Sequence, residues 1–156
     1  MRILIAPDSF KGTMTSSEVC RVVATEIKEL RPDAEVVCLP IADGGEGSVD
    51  AFAAALGERA QIVTVKGTDS FGCVRHDMKI CVFGKTAVIE TAQSVGLQPN
   101  RLDIMNSTTY GVGALIKAAL DAGCRKLIFC LGGSGTNDMG AGAAGAMGAK
   151  FYDRNG

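Results

Sequence analysis

Short, unbroken apolar runs, each cut off sharply and followed by small, acidic or hydroxyl-bearing residues, constrain this chain most. Ile3-Leu4-Ile5-Ala6 is stopped by Pro7, Ala34 to Leu39 by Pro40, and Lys126 to Leu131 by Gly132-Gly133. A run without polar alternation marks a strand buried on both faces, as in parallel sheets. Helical patterns separate these runs. Thr15-Ser16-Ser17-Glu18 has the S/T-x-x-E form of a capping box, and Val19, Val22, Val23, Ile27 and Leu30 follow as one apolar stripe ended by Arg31-Pro32-Asp33. Val49 to Leu56, ended by Gly57, reads as a second helix. Thr108 to Ala122, with Gly123 at the C-terminal cap and Ser107 or Thr108 as N-cap, reads as another. Asn137 to Met147 reads as a helix of small residues.

The middle differs. Gln61 to Val65 is strand-like, Asp69-Ser70-Phe71-Gly72 is a turn, and from Cys73 to Thr91 the pattern alternates, with Val74, His76, Met78, Ile80 and Val82 on one face. Gly84-Lys85 stands where a two-residue hairpin turn belongs. The expected fold is therefore α/β: a mostly parallel sheet with flanking helices plus a β-hairpin. Lys150-Phe151-Tyr152 reads as the start of a strand and Asp153-Arg154-Asn155-Gly156 as a turn, so the chain is expected to be cut from something longer.

Charge and cysteine content narrow the function classes. The net charge is -1 with both signs interspersed, and there is no Trp. No basic stripe points to nucleic acid, and no apolar stretch is long enough to span a bilayer. The six cysteines form no C-x-x-C pair and there is one histidine, His76, so a zinc site is not expected. Cys38, Cys81 and Cys130 lie inside apolar runs, where free thiols act as small hydrophobes. A reducing, cytoplasmic setting follows as an expectation. His76, alone on an apolar strand face, reads as a satisfied half-buried residue.

In open parallel sheets ligands bind beyond the carboxyl ends of the strands, and four unusual segments stand there. In Pro7-Asp8-Ser9-Phe10-Lys11-Gly12-Thr13, Lys11 is suited to neutralise phosphate charge and Asp8 to hold Mg²⁺ or orient a hydroxyl, with a plain turn as the bland alternative. In Ala42-Asp43-Gly44-Gly45-Glu46-Gly47-Ser48, the glycine N–H groups suit an anion and the two carboxylates a metal or a substrate hydroxyl. Acids that only complement a helix dipole need fewer glycines. Gly132-Gly133-Ser134-Gly135-Thr136-Asn137-Asp138 resembles a phosphate cradle in chemistry but lacks the G-K-[ST] of a Walker A loop. Its Asn137 and Asp138 suit capping, Mg²⁺ or the role of a base. Glu90 closes the run Ala87-Val88-Ile89, and a buried acid there needs a partner or a task.

At Gly140-Ala141-Gly142-Ala143-Ala144-Gly145 the letters match G-x-G-x-x-G, which raises a nucleotide-dependent oxidoreductase as a rival. The motif starts inside a helix rather than at a strand end, so small residues for close helix packing explain it better. A non-catalytic ligand-binding module is the other rival.

At IAPDSFKGTMTSSEV (5–19), LPIADGGEGSVDA (39–51), GKTAVIETAQSVGL (84–97), NSTTYGVGALIKAALDAGCRKL (106–127) and LGGSGTNDMGAGAAGAMGAKF (131–151) the sequence resembles the bacterial glycerate kinase family. That family is distinct from the P-loop and sugar-kinase folds. A departure is Met139, where a smaller residue, often Gly, is expected. The resemblance implies ATP- and Mg²⁺-dependent phosphorylation of D-glycerate, at the 2-hydroxyl in this subfamily. It also implies a chain over twice this length with two α/β lobes, of which 1–156 is one part, with a lobe boundary expected near 57–70. On that reading the part alone is inactive, and the oligomeric state is open. By the same resemblance Lys11 and the Gly132–Gly135 loop handle charged oxygens of ATP or glycerate. Asp43, Glu46 and Asp138 are by that resemblance the candidates for Mg²⁺ or the base, with Asp43 and Asp138 the metal candidates, and Asp8, Lys11, Asp43 and Asp138 make up the expected catalytic set. Ser9, Gly44, Gly45, Glu46, Glu90, Gly132, Gly133, Ser134, Gly135, Thr136 and Asn137 are the binding candidates.

Overall fold

A computed structural model describes residues 1–73, 75–98, 101 and 103–156. Val74, assigned above to an apolar strand face, lies outside the described residues. The element order is β1 (Arg2–Ile5), α1 (Ser16–Leu30), β2 (Glu35–Cys38), α2 (Ser48–Leu56), β3 (Gln61–Thr68), β4 (Arg75–Phe83), β5 (Thr86–Glu90), α3 (Ala92–Val95), α4 (Tyr110–Asp121), β6 (Lys126–Cys130) and α5 (Ala141–Ala146). Single 3₁₀ turns occupy Gly57–Arg59 and Ile104–Asn106. Among the described residues no helix is long and apolar enough to cross a membrane.

Two sheets carry these elements. β1 and β2 pair in parallel, with Ile3 opposite Val36 and Ile5 opposite Cys38. The second sheet has the order β3-β4-β5-β6: β3–β4 and β4–β5 are antiparallel, β5–β6 parallel. The α/β class holds, with the expected hairpin turning at Gly84-Lys85 and parallel pairing at β1–β2 and β5–β6.

Strand alternation divides the core of the larger sheet. Met78, Ile80 and Val82 of β4 with Ala87 and Ile89 of β5 face Val112, Leu115, Ile116 and Ala119 of α4. Cys81, Val88 and Cys130 point the other way, onto Val49, Phe52, Ala53 and Leu56 of α2. Each fully buried Leu or Ile in this sandwich contributes about 1.5–3 kcal/mol. The parity of β5 decides the fate of its last residue: Glu90 shares the α2 face with Val88 and is 3 % exposed.

The capping box of α1 forms as read: the Thr15 hydroxyl accepts from Glu18 N, and Glu18 accepts from Thr15 N at 2.7 Å. Three expectations shift. α4 starts at Tyr110 with Thr109 as N-cap rather than Ser107 or Thr108. The Thr109 hydroxyl makes no cap bond; it turns toward α5, donating to Asp138 at 2.9 Å and accepting from Ala143 N at 2.9 Å. The helix expected over Asn137–Met147 is only Ala141–Ala146, because Gly140 at φ 79° is left-handed and cannot continue an α-helix. Lys150–Tyr152 joins no strand, having no neighbour to pair with among the described residues.

Met139 is the one described non-glycine residue with positive φ, 53°, and its side chain is fully exposed. A left-handed conformation costs a residue with a Cβ roughly 1–2 kcal/mol and glycine little. Met139→Gly should therefore stabilise the protein by about 1 kcal/mol. A chemical-denaturation midpoint that stays put or falls would contradict this.

Candidate functional site

The parallel pairing of β1 with β2 sends both chain ends over the same sheet edge. Beyond the strands Leu39 N still bonds Ile5 O at 2.8 Å and Ile41 N bonds Pro7 O at 3.1 Å. The Ser16 hydroxyl reaches Pro7 O and Ile41 O, each at 3.1 Å, and ties the two exits together. Asp8 and Asp43, each following such an exit, thus come to one place. A cavity of about 990 Å³ opens there, lined by Asp8, Ser9, Lys11, Asp43, Glu46 and Glu90 among others. Gly45 and Gly133 also reach its wall. A smaller hollow of about 390 Å³ adjoins it between Ser9–Glu18, Glu46, Asp50 and Lys79.

The two glycine loops close on each other. Gly132 N donates to Gly44 O at 2.7 Å, and a Cβ on Gly132 would stand 2.6 Å from Gly45 N and 2.8 Å from Gly44 C. Only glycine allows two backbones this close. Their N–H groups are largely committed inside the protein, contrary to a freely open anion cradle. Gly45 N donates to Asp43 Oδ1 at 2.9 Å, Gly135 N to Val95 O at 2.7 Å and Ser48 N to Gly45 O at 3.3 Å. At the N-terminus of α2, Val49 N donates to Glu90 Oε2 at 3.0 Å and Gly47 N–H also points to that carboxylate. Burial raises the affinity of Glu90 for a proton, opposed by these two N–H groups and by Lys79 and seconded by Asp50. The anion at this helix end is the protein's own.

Asp138 stands apart from the cavity. Its Oδ2 accepts from Thr109 N at 2.8 Å, the Thr109 hydroxyl at 2.9 Å and Gly142 N at 3.0 Å, and its Oδ1 from Gly140 N at 3.1 Å. Burial pulls its pKa up, but this ring of donors outweighs burial and holds it below the ordinary aspartate value. It joins the starts of α4 and α5. Of the G-x-G-x-x-G glycines, Gly142 serves the same junction: a Cβ there would stand 2.1 Å from the Thr108 hydroxyl and 2.7 Å from Tyr110 N, whereas one on Gly145 would meet open space. Close helix packing, as expected, is what Gly142 provides. Of the 132–138 loop, only Gly133 lines the cavity. Ser134, Gly135, Thr136 and Asn137 lie outside its wall, and Ser134 instead shares a 3.3 Å hydroxyl contact with Thr91.

Residues not singled out for the site also line the cavity: Asp69, His76, Asp77 and Gln93. Gln93 ties them in. Its side chain accepts from Lys79 N at 2.7 Å and donates to Lys79 O at 2.9 Å, as a paired strand would, and its carbonyl accepts from His76 Nε2 at 2.6 Å. A carbonyl can only accept, so Nε2 is the donor in this bond. His76 is thus satisfied, as expected, yet also part of the wall. Its place on a strand that ends at the cavity was the only available signal.

Among the described residues no three His, Cys, Asp or Glu side chains converge closely enough to hold a metal ion alone. The donor set still fits Mg²⁺, which is usually held by one or two carboxylates together with substrate phosphates. Asp43, Asp8 and Glu46 are exposed, oxygen-bearing and on the cavity wall, and Lys11 beside them carries the opposite charge.

The profile of the glycerate kinase family matches residues 3–156. The chain is 42% identical over 161 residues to the glycerate 2-kinase of Escherichia coli, covering 100% of this chain and 42% of that protein. It is likewise 42% identical over 161 residues to the glycerate kinase of Bacillus subtilis, covering 100% of this chain and 41% of that protein. A crystal structure described as glycerate kinase 2 from Salmonella typhimurium superposes with a TM-score of 0.78 at 40% identity, over 100% of this chain and 42% of that one. The chain thus spans about two fifths of the length of these relatives.

Proposed function

Because this chain belongs to the glycerate kinase family, we propose that the complete protein transfers the γ-phosphoryl group of ATP to the 2-hydroxyl of D-glycerate, giving 2-phosphoglycerate, in the cytoplasm. The observation that carries this reading is one cavity wall holding Asp8, Ser9, Lys11, Asp43 and Glu46. These come from two loops that follow two parallel strands.

Phosphoryl transfer asks a protein chiefly for positioning and charge neutralisation. Lys11 offers a mobile cation for the charged oxygens of phosphate or of the glycerate carboxylate. Asp43 is held in orientation by Gly45 N and keeps its second carboxylate oxygen for Mg²⁺ or for the proton of the attacking hydroxyl. Asp8 donates nothing and accepts from Ser9 N at 2.7 Å, which leaves its other oxygen for the same tasks. Mg²⁺, when bound, neutralises the charge that develops on the transferred group. In this reading the remaining length of the relatives corresponds to a second α/β lobe that closes the site. The free state of all six cysteines accords with a reducing compartment.

The test is ADP release from Mg·ATP with D-glycerate, measured on the complete protein and on residues 1–156. The complete protein should turn over and yield 2-phosphoglycerate, and the part should not. Binding and oxidation of NADH in place of ADP release would instead support the oxidoreductase rival.

A further inference from the structure

Glu90 is the most deeply buried carboxylate among the described residues, and its surroundings come from three elements. From α2, the N–H groups of Val49, at 3.0 Å, and of Gly47 donate to it. Asp50, in the first turn of the same helix, faces it as a like charge. From β4, Lys79 Nζ approaches as the opposite charge while holding both oxygens of Asp50, at 2.6 and 2.7 Å. From β6, the Cys130 thiol lies close enough to feel the carboxylate. The first turn of α2 is thus gripped twice by the large sheet, once by β5 through Glu90 and once by β4 through Lys79. Gly47, the N-cap at φ 87°, has no side chain with which to cap the helix itself. The carboxylate from β5 takes that place, complementing the positive end of α2. Directly before this turn stand Asp43 and Glu46, on the cavity wall.

We propose that Glu90 is a positioning residue: from the end of β5 its carboxylate anchors the first turn of α2 and so fixes the loop that presents Asp43 and Glu46 to the cavity. Its kinetic consequence rests on reading that cavity as the glycerate kinase site, whereas the anchoring itself does not. A loop freed at its end still carries the same groups, but holds them in the reactive arrangement for less of the time. Turnover then suffers more than ground-state binding.

The experiment compares the complete unsubstituted protein with Glu90→Gln and Glu90→Asp by hydrogen–deuterium exchange and by steady-state kinetics with D-glycerate and Mg·ATP. Glutamine keeps the shape and removes the charge. Aspartate keeps the charge and withdraws it toward β5, and serves as the readout should the glutamine variant not fold. Exchange across residues 43–50 should rise at least about tenfold with β3–β6 unchanged. Turnover should fall about 10–100-fold, with KM for Mg·ATP moving less than about threefold. Unchanged exchange across 43–50 overturns the anchor whatever the kinetics. A rise spread over the whole sheet also overturns it, because Glu90 would then serve general stability. Absence of ADP release from the unsubstituted protein removes the functional reading, and the local exchange response still decides the anchor by itself.

Discussion

Asp43→Asn in the complete protein is expected to lower kcat by a factor on the order of 10²–10⁴, the range seen when a positioned acid–base group is lost. Asparagine retains the oxygen that accepts from Gly45 N at 2.9 Å, so the loop keeps its shape and the thermal midpoint should move little. The lost quantity is the negative charge on the cavity wall, needed whether Asp43 takes the hydroxyl proton or a share of Mg²⁺. Raising Mg²⁺ separates the two: a metal ligand's loss is partly recovered at high Mg²⁺, a base's loss is not. Turnover within a factor of about two of the unsubstituted enzyme would strike Asp43 from the site.

Asp138→Ala should act on a different quantity. It leaves the N–H groups of Thr109, Gly140 and Gly142 without their acceptor, and an unmade bond to a partly buried donor costs roughly 1–3 kcal/mol. The N–H groups are not fully buried, so a total of about 2–4 kcal/mol is expected. It should appear as a lowered unfolding midpoint and as faster exchange at the starts of α4 and α5. The pH dependence has a definite sign. The carboxyl is held below its ordinary value in the folded protein. Its contribution is therefore present above the unfolded aspartate value and is lost as pH falls through the folded one, below about pH 4. Asp138→Asn should lack that acid-side component. Loss of turnover with unchanged stability would instead place Asp138 in the chemistry.

Much of the fold was legible because local rules and tertiary packing agree. The capping box at Thr15–Glu18, the apolar runs of β1, β2 and β6 and the Gly84-Lys85 turn are each specified within a few residues. The start of α5 was not, because Gly140 interrupts a stretch whose composition otherwise favours a helix and Asp138 bonds forward to it. At the cavity, the residues that follow the paired strands were readable from chain order alone. Asp138 also follows a strand, yet its hydrogen-bond partners are set by Thr109, distant in sequence, and it does not reach the wall of this cavity. Gln93 gave no signal at all, since an amide that replaces a strand's hydrogen bonds looks like any other glutamine. Met139 was visible as an oddity in the sequence, and its positive φ supplies the physical reason a smaller residue suits that position.

Among the described residues the two sheets share no ladder, and the acids and the lysine of the cavity are divided between them: Asp8, Lys11, Asp43 and Glu46 on the exits of the small sheet, Asp69, Asp77 and Glu90 on the large one. Between the halves the Gly132 N–H donates to Gly44 O, joining the loop after β6 to the loop after β2. The spacing of the two sets of side chains is thus set by contacts between loops, such as Gly132 N to Gly44 O at 2.7 Å, and not by a continuous strand ladder.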